Sequence, residues 1–187
     1  MKTIDDIIVI GPVAVGKTSV ARCLAERLGK PMISMDEVRT EYYSELGYDP
    51  DAAQKLFDMD GAASLWCYWK AFDPYSVERI LADYPGYVID MGGGSTIHEH
   101  DDQLERVKRA LAPYRNVVLL LPYPDRETSL LFLDKRTGWG GKERNVNRNI
   151  LEHRSNYQLA TITVYTADRS PEEIAEEILE MIQASDQ

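Results

Sequence analysis

The chain is short of cysteine, histidine and positive charge. Its two cysteines, Cys23 and Cys67, fall in helical-looking segments with no CxxC spacing. That excludes a disulfide framework and a thiolate zinc site, and leaves two buried thiols in a reducing compartment as the expectation. Two of the three histidines fall in His98-Glu99-His100-Asp101-Asp102. This run offers too few convergent ligands for zinc and reads as a polar capping segment on an exposed loop. Lysine and arginine number 21 against 31 acids, a net charge of −10. Such a balance argues against binding to long nucleic acid or to an anionic membrane. No uninterrupted apolar run approaches the roughly 18–20 residues of a membrane span. The acids after Met1-Lys2-Thr3-Ile4 are unlike a signal peptide. A cytoplasmic protein is expected.

What is present suits one globular domain. A chain of 187 residues with 44% hydrophobic side chains can bury a substantial core. Short apolar runs at 7–10, 32–35, 87–90, 117–121 and 162–165 alternate with helix-period segments at 17–28, 37–46, about 60–83, 99–111, 125–135, 147–159 and 171–183. Alternation of this kind predicts an α/β fold, with a parallel sheet covered by helices on both faces. Gly47 to Pro50 reads as a turn, and Ser170-Pro171-Glu172-Glu173 as a helix start with proline at its first position.

The strongest motif is Gly11-Pro12-Val13-Ala14-Val15-Gly16-Lys17-Thr18, a G-x-x-x-x-G-K-[ST] loop between a strand and a helix. Glycines at both ends let the backbone wrap its N–H groups around phosphate, and the helix N-terminus adds free donors and a positive dipole end. Residues 11–19, with Ser19 beside the motif, are therefore expected to hold ATP. Lys17 would reach the β- and γ-phosphates, and the Thr18 hydroxyl would ligate Mg²⁺. A compact chain with one such loop and no N-K-x-D guanine signature suggests a small phosphotransferase. That chemistry also requires an acceptor pocket, an acid near the metal and a cationic lid.

Asp36, 19 residues after Lys17, follows the second strand and should face the loop, because parallel strands end along one edge. It could engage an acceptor hydroxyl or take its proton; capping the next helix would be compatible with that role. Gly92, Gly93 and Gly94 follow the third strand and allow close backbone approach to a ligand. Asp90 ends that strand where a Walker-B acid would hold the metal's water.

These residues resemble the shikimate kinase family, within the nucleoside-monophosphate-kinase-like P-loop fold, over nearly the whole chain. The family pattern of P-loop, Asp-x-Asp, Phe-Arg-x-x-Glu, Gly-Gly-Gly, lid arginine and a later Arg with Tyr is matched by residues 11–18, Asp36, Lys70 with Asp73, 92–94, Arg136, and Arg154 with Tyr157. Ser34 stands at the first acid of Asp-x-Asp, and Asp90 is the neighbouring-strand residue that would substitute for it. Lys70 stands at the helix arginine, and the lid lacks the family's Arg-Pro-Leu-Leu. The resemblance implies strand order 2-3-1-4-5 and γ-phosphoryl transfer from ATP to a hydroxyl of a small, anionic acceptor. It also implies that Lys70 and Arg154 bind the acceptor's anion, that Asp36 and Gly92 to Gly94 line its pocket, and that Arg136 neutralises charge from the lid. The tail from Thr166 to Glu173 is similar to the family's adenine-side loop and last helix.

Two regions complete the expected organisation of a single kinase domain: a helical substrate-binding region at about 37–84 and a lid at about 134–147. Residues 135–154 carry Lys135, Arg136, Lys142, Arg144, Arg148 and Arg154 against Glu143 and Glu152. A site that handles triphosphate explains such a local excess; a solvated face paired with acids elsewhere is the alternative. Trp66, Tyr68, Trp69 and Phe72 form a stripe read as packing. Two other functions stay open. Ser34-Met35-Asp36-Glu37-Val38-Arg39 also looks like the strand-two end of polynucleotide-kinase-like or antibiotic-type phosphotransferases. With Asp36 and Arg39 as the acceptor site, the substrate would be a nucleoside or nucleic-acid end. The other alternative is a nucleotide-binding regulator with little catalysis. The oligomeric state is not encoded in any motif.

Overall fold

The computed structural model describes residues 4–139 and 144–185. Five parallel strands form one sheet in the order β2-β3-β1-β4-β5: β1 (Ile4–Ile10), β2 (Met32–Ser34), β3 (Val88–Asp90), β4 (Tyr114–Leu121) and β5 (Ile162–Tyr165). This is the order expected for a P-loop kinase. The central strand β1 is buried on both faces, with Ile7, Ile8, Val9 and Ile10 each at most 2% exposed, as an unbroken apolar run in a covered parallel sheet should be.

The helices are α1 (Lys17–Leu28), α2 (Met35–Glu45), α3 (Pro50–Asp60), α4 (Ala62–Trp69), α5 (Asp73–Asp83), α6 (Asp101–Leu111), α7 (Arg126–Thr137), α8 (Arg144–Glu152), α9 (Arg154–Leu159) and α10 (Pro171–Ser185). Helices α1 and α10 pack together over one face of the sheet, while α5, α6 and α9 pack in series over the other. Among the described residues, no helix is long and apolar enough to cross a membrane.

Local chemistry explains where the elements depart from the expected ones. Helix α3 lies inside the helical region expected at about 37–84, but between the turn at Gly47 to Pro50 and the segment at about 60–83, where the sequence predicts no separate helix. The Asp49 side chain caps it by accepting from the Asp51 and Ala52 N–H groups, and Pro50 supplies its first turn. The long helix expected at 60–83 is two helices, because the chain breaks between Lys70 and Phe72 and Pro74 opens α5. Residues 147–159 are also divided: His153 Nδ1 accepts from the Ser155 N–H (3.2 Å) and caps α9. Gly138, at φ 69°, ends α7 in the left-handed region.

Two smaller expectations fail. Cys67 is exposed and Cys23 half-buried, so neither is a core thiol. His98 is 1% exposed rather than on an exposed loop, because its segment packs against α9: the Thr96 hydroxyl donates to Asn156 (2.5 Å) and the His98 N–H to the Ser155 hydroxyl (3.3 Å).

Candidate functional site

The C-terminal ends of β1, β2 and β3 meet at one edge of the sheet. There the chain runs into the Gly11–Gly16 loop, into Asp36 and into the glycine triplet. These segments border one cavity of about 800 Å³, to which α2, α4, α7 and α8 also contribute.

The phosphate loop is built by close contacts. Gly11 has φ 141°, and a Cβ there would meet the Leu120 carbonyl oxygen inside 3.0 Å, so only glycine lets β1 leave beside β4. Gly16 (φ 106°) and Ala14 (φ 64°) also turn left-handed, the alternation that turns successive N–H groups into one concavity. The loop is fastened from outside. Asn147, fully buried on α8, accepts from the Val13 N–H (2.9 Å) and donates to the Val13 carbonyl (3.3 Å). The Thr166 hydroxyl donates to the Val15 carbonyl (3.4 Å), bringing the tail's loop against the phosphate loop.

Lys17 is 7% exposed and its ammonium donates to the Pro12 carbonyl (2.9 Å). Burial lowers its pKa, and the Asp90 carboxylate opposes that shift. The Thr18 hydroxyl donates to Asp90 Oδ2 (2.6 Å), an oxygen that also accepts from the Ser34 hydroxyl (3.3 Å); Asp90 Oδ1 accepts from the Gly92 N–H (2.9 Å). Ser34 and Asp90 are direct partners in the β2–β3 register. Asp90 thus lies directly across the strand pair from Ser34, the position where the family pattern has an acid. A hydroxyl and a carboxylate that share a wall of the cavity are the hard oxygen donors that Mg²⁺ requires, so this corner fits that ion.

Next to that corner, Asp36 lies in the first turn of α2, where Ser34 rather than Asp36 provides the cap: the Ser34 hydroxyl accepts from the Asp36 N–H (3.3 Å). Asp36 pairs with Arg39, whose guanidinium stacks 4.7 Å from the centre of the Trp69 ring. The glycine triplet is needed for space. A Cβ on Gly92 would lie 2.8 Å from Asp36 Oδ1, one on Gly93 would collide with the Val13 side chain, and one on Gly94 with the Trp66 indole. The triplet leads into an irregular segment, and α6 starts only at Asp101.

Lys70 and Arg154 do not come together. The Lys70 ammonium donates to Asp73 Oδ2 (2.6 Å) and to the Gly94 carbonyl, and lies 4.3 Å from the centre of the Trp66 ring. Burial lowers its pKa against the pull of Asp73. Lys70 therefore braces the triplet from behind instead of lining the cavity. Arg154 is on the surface, 55% exposed and paired with Asp101, while the Tyr157 hydroxyl donates to the Leu151 carbonyl (2.6 Å). The separation follows from the cap at His153, which starts α9 anew and turns Arg154 towards α6. Arg136, in the last turn of α7, does border the cavity. Arg148 pairs with Glu127 and Glu152, so part of the local positive excess is a solvated, neutralised face. Lys142 and residues 140–143 of the expected lid lie outside the described residues.

The aromatic stripe serves both ends. Tyr43, Tyr48, Tyr68, Trp69 and Phe72 pack ring against ring, with centroids 5.2–6.4 Å apart, while Trp66 and Trp69 also wall the cavity. Sequence reasoning passed over Asn147, because one asparagine in a basic segment carries no motif. It gave Arg39 only a place in a rival acceptor site, although the i, i+3 spacing from Asp36 was legible.

A phosphate loop after β1, a strand-end acid beside its threonine and a second acid lining the same cavity define an ATP-dependent phosphotransferase of the P-loop kinase class, acting on a hydroxyl. A family model described as shikimate kinase matches residues 13–183, and the chain belongs to the shikimate kinase family. A shikimate kinase of Thermobifida fusca (strain YX) is 31% identical over 180 residues, covering 95% of each chain. One of Dehalococcoides mccartyi is 29% identical over 182 residues, covering 95% of this chain and 93% of that protein. Among solved structures, shikimate kinase from Acinetobacter baumannii in complex with shikimate superposes with a TM-score of 0.64 at 20% identity, covering 98% of this chain and 96% of that one. A gluconokinase from Sinorhizobium meliloti gives 0.54 at 17% identity, covering 99% and 95%. At those identities the structural likeness shows the fold alone.

Proposed function

We propose that this protein transfers the γ-phosphoryl group of ATP to a hydroxyl of shikimate. The observation that carries the proposal is one cavity bordered both by the phosphate loop and by Asp36, which lies against Gly92. That layout allows a donor phosphate and an acceptor hydroxyl to meet in line.

The 11–19 segment binds the triphosphate, and Lys17 leaves the Pro12 carbonyl to hold the β- and γ-oxygens. Thr18 and Asp90 hold Mg²⁺, which when bound neutralises charge on the phosphates. Asp36 orients the acceptor hydroxyl and takes its proton as the new P–O bond forms and the bond to the β-phosphate oxygen breaks. Gly92 to Gly94 let the acceptor approach the backbone, and Lys70 keeps that backbone in place through the Gly94 carbonyl. Arg136 meets charge on the transferring group from α7. Residues 37–84 serve as the substrate-binding region and 134–147 as the lid. Trp139, packed with Ile97, Val146 and Ile150, anchors the lid at one end. The acidic chain acts on a small molecule rather than a long polyanion, in the cytoplasm.

A coupled assay of ADP release over shikimate, gluconate, nucleosides and oligonucleotide ends tests the reading. Shikimate is expected to stimulate release most strongly. Stimulation by a nucleoside or an oligonucleotide end, with none by shikimate, would overturn it.

A further inference from the structure

The acceptor site needs a cation for the acceptor's carboxylate, and the two residues that sequence pattern offers for it, Lys70 and Arg154, are engaged elsewhere. Lys70 is held by Asp73 and the Gly94 carbonyl behind the triplet. Arg154 is at the surface with Asp101. Among the described residues, three cations border the cavity: Lys17 in the phosphate loop, Arg136 on α7 and Arg39 on α2. Of these, Arg39 is at the acceptor end. A Cβ on Gly92 would stand 2.8 Å from Asp36 Oδ1 and 3.0 Å from Arg39 Nη2, so both side chains flank the same glycine.

The guanidinium is pre-oriented. Its side chain is only 13% exposed, one face lies on Trp69, and Nη2 is paired with Asp36 one helical turn earlier. A guanidinium carries five N–H donors in a planar fork. Stacking uses its face and Asp36 uses one edge, so donors remain in the plane for a second carboxylate. Its charge is felt across the site: it contributes to the lowered pKa of both Lys17 and Lys70.

We infer that Arg39 is the residue that selects a hydroxy acid as acceptor: its guanidinium grips the acceptor's carboxylate while Asp36, beside it, engages the hydroxyl. This rests on the kinase reading above and deepens it, since it assigns acceptor recognition to a pair on α2. The Asp36–Arg39 pair then acts as a template with one acceptor-binding and one anion-binding arm. Lysine at 39 would keep the charge and lose the fork and the stacking on Trp69.

The test compares Arg39→Gln, Arg39→Lys and Arg154→Gln on shikimate, on its methyl ester and on a panel of other hydroxy acids and neutral alcohols. Arg39→Gln is expected to raise KM for shikimate about 10- to 150-fold, the range for losing a charge-assisted bidentate contact. KM for ATP should move less than about threefold, which also shows that the variant is folded. Arg39→Lys should fall between, and Arg154→Gln should raise KM for shikimate less than about threefold. On the methyl ester, Arg39→Gln should cost little, so the preference for acid over ester collapses. Equal losses on acid and ester would mean that Arg39 only orients Asp36, and would overturn the inference. So would the reverse ranking of Arg39 and Arg154, or wild-type turnover confined to neutral alcohols. Wild-type turnover of another hydroxy acid but not shikimate, with the same Arg39 dependence, would overturn the proposed substrate and leave this inference standing.

Discussion

Replacing Gly93 by alanine is expected to disable the enzyme through the phosphate loop, and a second substitution should repair it. Gly93 is not in the left-handed region, so alanine is conformationally allowed and the effect is purely steric. The new methyl group would sit inside 3.0 Å of Val13 Cγ2, with Val13 Cα and Cβ at 3.3 Å. Val13 cannot step aside freely, because Asn147 holds its main chain at both N–H and carbonyl and its side chain packs against the cluster of Ile97, Val146 and Ile150. Something must therefore move by about 1 Å, either the phosphate loop or the triplet. A displacement of that size at a reacting centre costs about 10²-fold in rate, equivalent to about 2.7 kcal/mol of barrier. The stability cost should be about 1–3 kcal/mol. Val13→Ala removes the Cγ2 that collides and keeps both bonds to Asn147, since these involve the main chain. In that background Gly93→Ala should cost less than about tenfold, because only the contacts at 3.3 Å remain. The assay is kcat/KM from coupled ADP release for the wild type, the two single variants and the double variant. Equal penalties for Gly93→Ala in both backgrounds would refute the argument, as would wild-type activity in the single variant.

Two further predictions concern the same site, and a third concerns a buried histidine outside it. Asp36→Asn should lower kcat about 10²- to 10⁴-fold with KM for ATP unchanged, and near-normal turnover would remove its role as base. Asp90→Asn should raise the Mg²⁺ concentration for half-maximal activity about 10- to 100-fold; an unchanged Mg²⁺ titration would show that Asp90 is not at the metal. His98 is buried, and burial pushes its pKa down to about 4 from 6.5, with Lys70 adding repulsion. Because the folded pKa lies below the unfolded one, its neutral burial favours the fold above pH 6.5. That contribution is lost as pH falls towards 4, an effect of the order of 3 kcal/mol. Urea unfolding between pH 7 and 4 should therefore be less pH-dependent in His98→Leu than in the wild type, and parallel pH profiles would contradict this.

Much of the fold was legible because its signals are local. Each strand is a short apolar run between helix-period segments, and the phosphate loop carries its own flanking context. What escaped were helix ends. Asp49-Pro50 is a cap followed by a first-turn proline, yet it resembles a turn until α3 is seen to follow. His153 looked like an interior helix residue until its ring was found capping α9. That second break had a functional consequence, since it placed Arg154 on the surface while the sequence pattern pointed to an anion site. Lys70 shows the converse. Its spacing to Asp73 was legible, but only three-dimensional packing reveals that the ammonium is spent on Asp73 and the Gly94 carbonyl. The placement of Asp90 beside Ser34 was partly legible, because both residues end strands; their direct opposition needed the register of β2 and β3.

Phosphorylated shikimate is the most direct signature of the reaction. Incubation with ATP, Mg²⁺ and shikimate, followed by mass spectrometry, should show phosphorylated shikimate accumulating one for one with ADP, and neither forming when shikimate is omitted. ADP formed at the same rate with and without shikimate, and no phosphorylated acceptor, would contradict it.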